Sequence, residues 1–579
     1  MPVSIESRQS AKKRVAVVGS GLAGLTAAHF LQKGGWHVEL FEKGSAVGMD
    51  AGSVTVDDVR VDVPFRVFTP DYYPYLYSMY RYLGIDFSSA DYSLGFCRAG
   101  QSIWSYTNFK IGNLVVPVPD SVAMGGKRLE ITRDWVRLSY TCLRLMRMPK
   151  MLLCGGLSRA TIAEYLASEG YGQEFIDFVF LPFMASLLTC SLDAAGAYPA
   201  NTVLHFVGKV AFGAHVRKAR DGVQAVCQAL TKGLKRIHLN ANVDKIEILS
   251  ENNIVVTNNG KSLHFDALVL ATPADTAAEL LGKCIVGSSV RYPPTELLQA
   301  IRSVPYEDAT VYTHRDSSVM PIERKHWHAV NLCTVPGCQH VMATHWINRV
   351  EESSSGRVLR EPLFQTVDPL NIELKQVVSS TPFHRSLVTI DSQLRINNIH
   401  RFQGHSGIWI VGTYTAPGVP LLEGCVRTAL DVALAMGAQL PFDPPKLYRM
   451  AKQNNNTRYE VGLAPGMVRG EVVEAYFECD AAGTFAYTCP ELTVLLDALA
   501  ARSWRKGVVE WFYRFGLWAI WTTMLPAMML WLAVIDMLLC TVLGKDQGAR
   551  VQTVAIDVMV YTVCVGLSVF RKAMEVVSP

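Results

Sequence analysis

The chain has 579 residues, too many for one hydrophobic core, so two or three domains are expected. Half of the residues are hydrophobic and 18% are charged, the balance of a globular protein with an added apolar load. A net charge of +4 is small for this length and gives no case for a nucleic-acid partner.

The 13 cysteines are scattered without a CxxC. Cys333 and Cys338 stand closest, with no zinc-finger cluster beside them, so reduced buried thiols on a cytosolic face are expected. Residues 1–12 are polar and basic without an apolar core, which reads as a disordered leader and not a secretory signal.

The stretch Arg14 to Lys43, RVAVVGSGLAGLTAAHFLQKGGWHVELFEK, reads as one βαβ unit. The apolar run Val15 to Val18 stops at Gly19, and Gly19, Gly21 and Gly24 form GxGxxG before a helical pattern that ends at Gly34 and Gly35. The first glycine permits a tight turn, the second lets the backbone approach a pyrophosphate, and the third lets helix and strand pack closely. The helix N-terminus then faces the phosphates. A second strand, Trp36 to Phe41, ends at Glu42, where an acid accepts from a ribose 2′-hydroxyl and disfavours a 2′-phosphate. FAD or NAD therefore fits better than NADP; Lys43 beside the acid is equally well a solvated surface lysine.

Beyond Glu42, Gly48 and Gly52 suit a loop passing close to the cofactor or a simple hairpin. The tyrosine-dense DYYPYLYSMYRYLGIDF reads as core or as an aromatic wall of a substrate cavity. Trp135 to Leu153 spaces Arg137, Arg144, Arg147 and Lys150 among apolar residues, either a surface helix or one lying on an anionic membrane. The helical region Thr161 to Leu192 contains IDFVFLPFMASLLTC, about 15 residues and too short to cross a bilayer. Asp221 to Leu234 reads as a helix, followed by the strand-like HLNANVDKIEIL, a hairpin with a two-residue Asn258–Asn259 turn, and the strand Ala267 to Leu270. These late apolar strands belong to the first unit's sheet, which makes the nucleotide domain discontinuous. Arg291 to Phe402 is mixed and β-rich, and GIWIVGTYTAPGVPLLEGCVRTALDVALAMG repeats the opening logic with a strand ending at Gly412 and a helix from about Gly424.

The C-terminal part carries two apolar stretches. Phe515 to Leu543 spans about 29 residues and Val551 to Phe570 about 20, against roughly 20 needed to cross hydrocarbon. Trp511, Tyr513, Trp518 and Trp521 mark an aromatic belt. Asp536 and Asp557 would each cost roughly 2.5 to 3.5 kcal/mol at a helix centre. A hairpin places both at one shallow depth, within snorkelling reach of Lys545 and Arg550. The flanking arginines and lysines put both ends on the cytosolic side.

Several words of the sequence resemble one family. VAVVGSGLAGLTAA, ELFEK with Gly48 following, VDVPFRVF, TIAEYLASEGY, FDALVLATPADTA, THRDSSVMPIERKHWHAVN, THWINRV and GIWIVGTY are similar to the FAD-dependent amine oxidase and phytoene desaturase superfamily. The nearest resemblance is to an amine-oxidase-like branch that includes polyunsaturated fatty acid isomerases and proteins linked to cyclopropane fatty acid synthesis. The resemblance implies FAD, with Gly19, Gly21, Leu22, Ala23, Gly24, Glu42 and Lys43 on the ADP half. It also implies Gly48 in the cofactor loop, Val243 touching the adenine end through its backbone, and Gly412 and Thr413 by the pyrophosphate and ribityl chain. Val47 and Gly48 stand where the family has paired glycines, and the closing loop TAPGVPLLEG departs from the branch's wording. No cysteine occupies the motif that some amine oxidases use for a covalent flavin link, so non-covalent FAD is expected.

The fold class expected is α/β: a Rossmann-type FAD-binding domain (residues 13–90, 220–285 and 395–445) with an inserted α+β substrate domain (91–219 and 286–394). A linker or peripheral region (446–507) and a C-terminal transmembrane helical hairpin (508–572) follow. Flavin chemistry needs no triad and no metal-ligand run. The polar residues that reach toward a ring are sought in THRD (His314, Asp316), in RKHWH (Lys325, His326, His328) and at Tyr414. His314 is weighed as a proton-handling group against a structural histidine, and Tyr414 as a flavin-flanking ring against core packing. The function expected is a membrane-anchored FAD-dependent oxidoreductase that oxidises, desaturates or isomerises a lipophilic substrate on an endomembrane, with the flavin domain cytosolic and membrane lipids as partners. The alternatives are a tethered amine oxidase and a non-catalytic flavin-binding scaffold.

Overall fold

A computed structural model describes residues 13–442, apart from 49–51, 112–113, 120–126, 148–156, 158, 212–215, 288–291, 351–357 and 371. All described residues belong to the first of two units, Met1–Thr488. The expected leader, the region 446–507 and the hairpin over 508–572 lie outside the described residues. Among the described residues no helix is long and apolar enough to cross a membrane.

The opening apolar run becomes the central strand, Arg14–Val18, of a five-stranded sheet. Across the sheet stand Arg236–His238, His37–Phe41, Arg14–Val18, Ala267–Leu270 and Ile408–Ile410, every neighbouring pair parallel. Side chains alternate along a strand. Val15 and Val17 therefore enter one core cluster, with the helices, while Ala16 and Val18 enter another. Parallel strands need both faces covered. One face takes helices Leu22–Lys33, Gly222–Thr231 and Leu422–Ala435, the first packing against the other two. The other face takes a second sheet ordered Lys261–Phe265, Asn253–Asn258, Val243–Ser250 and Ile285–Val286. In helix Leu22–Lys33 every residue through Leu31 is buried. Each fully buried Leu or Phe there contributes about 2 kcal/mol of transfer free energy.

A buried acid interrupts this apolar sheet. Glu39 lies fully buried on the second strand, and its carboxylate meets Arg14 Nη2 at 2.9 Å, Arg236 Nη1 at 3.0 Å and His238 Nε2 at 3.1 Å. Burial alone would push its carboxyl up, but hydrogen bonds from Arg14 and His238 and the nearby guanidinium charges hold it below the usual glutamate value.

An eight-stranded sheet forms the second body of this unit, in the order Val377–Ser386, Tyr306–His314, Phe364–Val367, Met342–Trp346, Val330–Thr334, Leu94–Arg98, Gln101–Ile111 and Leu114–Pro119. It is antiparallel except where Val330–Thr334 runs parallel to Leu94–Arg98. Helices between residues 127 and 211 pack beside it. The word TIAEYLASEGY supplies a capping box, in which Thr161 Oγ1 accepts from Glu164 N–H and the Glu164 carboxylate accepts from Thr161 N–H.

Three local readings resolve in the structure. Asn258 pairs with Lys261, so the hairpin turn is Asn259–Gly260, one residue later than the sequence suggested. Both turn residues have positive φ, +48° and +74°, as a twisted two-residue hairpin turn requires, and glycine meets that demand better than asparagine. The tyrosine stripe is core: Tyr72, Tyr73, Tyr75 and Tyr80 are buried around helix Pro74–Tyr82. The basic helix begins earlier than expected, at Lys127, and buries Ile131, Trp135, Leu138, Cys142 and Leu145, while Arg137 stays exposed over the Tyr171 ring.

Candidate functional site

The strand order reverses beside Arg14–Val18, and in open parallel sheets a ligand binds beyond the carboxyl ends of the strands at that reversal. Gly19 follows the central strand and Ala271 follows its neighbour. They approach so closely that a Cβ on Gly19 would lie 2.7 Å from the Ala271 carbonyl oxygen, and Gly19 has φ +98°. Gly24 is tighter still, since a Cβ there would stand 1.9 Å from the Gly19 oxygen. Gly21 differs from both: a Cβ would meet no atom within 4 Å. Its missing side chain thus leaves open space in front of the helix start. Helix Leu22–Lys33 begins with no side-chain cap and no acid in its first turn, so its leading N–H groups and positive dipole end suit an anion.

Glu42 sits at the end of the second strand and is tied to the same turn. Its Oε2 accepts from Ser20 N–H at 2.9 Å and from Ser20 Oγ at 2.6 Å, and its Oε1 accepts from Gly44 N–H at 2.7 Å. Ser20 Oγ in turn accepts from Gly48 N–H at 2.8 Å. Gly48 has φ +64°, and a Cβ on it would strike the Ser20 oxygen at 2.7 Å and Leu25 Cδ1 at 2.8 Å. The Glu42 carbonyl accepts from Ala241 N–H at 2.8 Å, which brings the start of strand Val243–Ser250 next to the acid; Val243 itself is buried. Lys43 is exposed.

The closing strand converges on this turn from the other side. Val411 N–H donates to the Leu270 carbonyl at 3.0 Å, and Gly412 follows with φ +147° and its N–H on Thr428 Oγ1 at 3.2 Å. Thr413 Oγ1 and Ser386 Oγ share a hydrogen bond of 3.1 Å, linking the closing loop to the eight-stranded sheet. Helix Leu422–Ala435 also starts without a side-chain cap. Its first turn carries Cys425, and burial pushes its thiol up to about 11. Glu423, beside it, accepts from Tyr75 N–H at 2.9 Å and Leu76 N–H at 3.0 Å, so an acid from one helix caps the start of another.

The candidates for chemistry divide. His314 is fully buried with both ring nitrogens engaged: Nδ1 accepts from Asp316 N–H at 3.1 Å, which leaves Nε2–H to donate to Thr366 Oγ1 at 2.8 Å. Burial lowers its pKa to about 4. This is the geometry of a neutral structural histidine. Asp316 is likewise occupied, accepting from Ser318 N–H and Lys375 N–H, each at 2.9 Å. Lys325 is exposed and paired with Glu323, and His328 is buried against Gly95. Tyr414 is buried in the cluster of Ile399, Ile408 and Ile410, with its ring packed under Gly412; burial holds its hydroxyl far above the ordinary tyrosine value. None of these residues joins the glycine turn.

The arrangement is that of a Rossmann-type α/β fold: a glycine turn with one open face before an uncapped helix start, and an acid at the end of the second strand. The comparisons agree at the level of fold. Residues 17–83 match the NAD(P)-binding Rossmann-like domain. No curated protein matches the chain. Among solved structures, a putrescine oxidase bound to putrescine is similar over 74% of this chain and 99% of its own, with a TM-score of 0.53 and 15% identity. Cyclohexylamine oxidase from Brevibacterium oxydans IH-35A covers 74% of this chain and 99% of its own, with a TM-score of 0.51 and 14% identity. A protein from Exiguobacterium sp. 255-15 assigned as a protoporphyrinogen oxidase covers 74% and 99%, with a TM-score of 0.50 and 13% identity.

Proposed function

We propose that the protein is a membrane-anchored FAD-dependent oxidoreductase acting on a lipophilic substrate, by oxidation, desaturation or double-bond isomerisation of an acyl chain or similar molecule. The observation that carries the cofactor is the open face of Gly21 in front of a helix start that has neither a side-chain cap nor an acid in its first turn, with Glu42 tied to the same turn through Ser20. Gly19, Gly21, Leu22, Ala23 and Gly24 would hold the pyrophosphate through backbone N–H groups. Glu42, with Ser20 and Gly44 fixing its carboxylate, would accept from the ribose, Lys43 and Val243 would flank the adenosine end, and Gly48, Gly412 and Thr413 would line the remainder. When bound, the flavin supplies the redox chemistry. The chain's own task is to orient the substrate and exclude water. His314, neutral and doubly hydrogen-bonded, positions strand Tyr306–His314 and takes no part in proton transfer.

The lipophilic substrate and the anchor rest on the apolar stretches Phe515 to Leu543 and Val551 to Phe570 and on the resemblance to an acyl-chain-modifying branch. A tethered amine oxidase is the second reading, favoured by the names of two structural neighbours, putrescine oxidase and cyclohexylamine oxidase. Anaerobic addition of a membrane lipid extract to the detergent-purified protein separates them. The proposal expects the flavin spectrum to bleach, or the acyl chains to change mass or double-bond position, with lipid and not with small amines. Prompt bleaching by amines alone would reverse the assignment.

A further inference from the structure

Cys97 and Cys333 meet across the one parallel pairing of the eight-stranded sheet. The register sets Cys97 directly opposite Cys333, so both side chains leave the sheet on the same face, and they share a small buried cluster with Val319 and Met342. Neighbouring parallel strands lie about 4.8 Å apart, within the Cα separation that a disulfide spans. Both cysteines are free thiols in this structure. Their exposure is 2% and 4%, and strand Leu94–Arg98 ends beside them in a turn at Ala99 and Gly100, with φ +48° and +79°, where Arg98 and Ala99 are exposed.

We propose that Cys97 and Cys333 form a peroxide-oxidisable dithiol, a site of reversible covalent modification separate from the dinucleotide cleft. The chemistry of the pair is asymmetric. A hydrogen bond from the Cys97 thiol, opposed by burial and aided by the backbones of Gly100 and Ala99, draws the Cys333 thiol below its ordinary value. Cys97 moves the opposite way, held protonated by its bond to Cys333 and by burial. Cys333 is therefore the nucleophile, because the thiolate is the reactive form. Its sulfur attacks hydrogen peroxide, the O–O bond breaks, hydroxide leaves, and Cys333 becomes a sulfenic acid. The Cys97 sulfur then attacks the Cys333 sulfur, its proton leaves with the hydroxyl as water, and the S–S bond forms. In sum two thiols are oxidised, one peroxide is reduced, and two waters are released.

This inference does not rest on the proposed substrate, since any source of peroxide serves. The test uses the full-length detergent-purified protein, treated with hydrogen peroxide, alkylated under denaturing conditions and mapped by mass spectrometry. The expected result is a peptide pair joined through Cys97 and Cys333, lighter by two hydrogen atoms and restored by dithiothreitol. It should form at peroxide concentrations that leave the more exposed Cys284 and Cys338 reduced. In C97S the same treatment should yield a dimedone adduct at Cys333. The inference is overturned if the wild-type protein forms no Cys97–Cys333 link, or if Cys284 or Cys338 oxidises first.

Discussion

The hydroxyl and the backbone N–H of Ser20 both donate to one oxygen of Glu42, at 2.6 and 2.9 Å. This contact ties the glycine turn to the acid at the next strand end, and Gly48 N–H extends it to the following loop. A glutamine at this position keeps the shape but turns an N–H toward one of the donors. E42Q should therefore lower stability by about 1 kcal/mol for a half-exposed site and weaken FAD binding about tenfold. Fluorescence titration of the apoprotein with FAD checks it, and an unchanged affinity would remove Glu42 from the cofactor site.

The glycines separate folding from binding. A methyl on Gly21 meets nothing, and its φ of −58° and ψ of 175° are open to alanine. G21A should thus leave the melting temperature of FAD-free protein unchanged and cut FAD affinity tenfold or more, because the methyl occupies the space in front of the helix start. G24A drives a methyl to 1.9 Å from the Gly19 oxygen, so a loss of about 3 kcal/mol or more is expected, read as poor yield or a lowered melting temperature. Equal effects of the two substitutions on the apoprotein would contradict this.

His314 makes a pH prediction. Its pKa falls from 6.5 in the unfolded chain to about 4 in the folded one through burial. Above pH 6.5 it is neutral in both states. Between pH 6.5 and about 4 the unfolded chain binds a proton that the native protein refuses, so stability declines as the pH falls through that window, by roughly 3 kcal/mol in total. Urea midpoints across this range should show a steeper decline for wild type than for H314Q. The catalytic pH profile near neutrality should not carry an ionisation of His314.

The anchor is tested by truncation. A chain ending at residue 507 loses both apolar stretches and should leave the membrane fraction for the aqueous one on detergent-free lysis, while still binding FAD. Truncated protein that stays with the membrane would place the attachment within the remaining residues.

What the sequence disclosed follows from how local each signal is. The turn Gly19 to Gly24 was legible because backbone sterics allow few residues there, and the closing strand Ile408–Ile410 because an apolar run ending in glycine announces itself. Ser20 and Glu423 were missed. Each acts through a partner distant in the chain, Ser20 on Glu42 and Glu423 on Tyr75, and no spacing rule encodes such pairs. Glu39 escaped for a similar reason: within the strand-like HVELF it reads as an outward acid, whereas the guanidinium groups of Arg14 and Arg236 and the His238 ring, on the two neighbouring strands, allow it to be buried. The hairpin slipped by one residue because NNG offers two turn frames, and only positive φ at both positions selects Asn259–Gly260.

The central claim, an FAD lying between the first glycine turn and Gly412, is tested most directly by the visible absorbance of the full-length protein purified in detergent and then denatured. The account predicts a yellow protein that releases one FAD per chain on denaturation, and a G21A variant that folds but retains less FAD through purification. A wild-type protein that is colourless, and stays so after incubation with FAD, would contradict it.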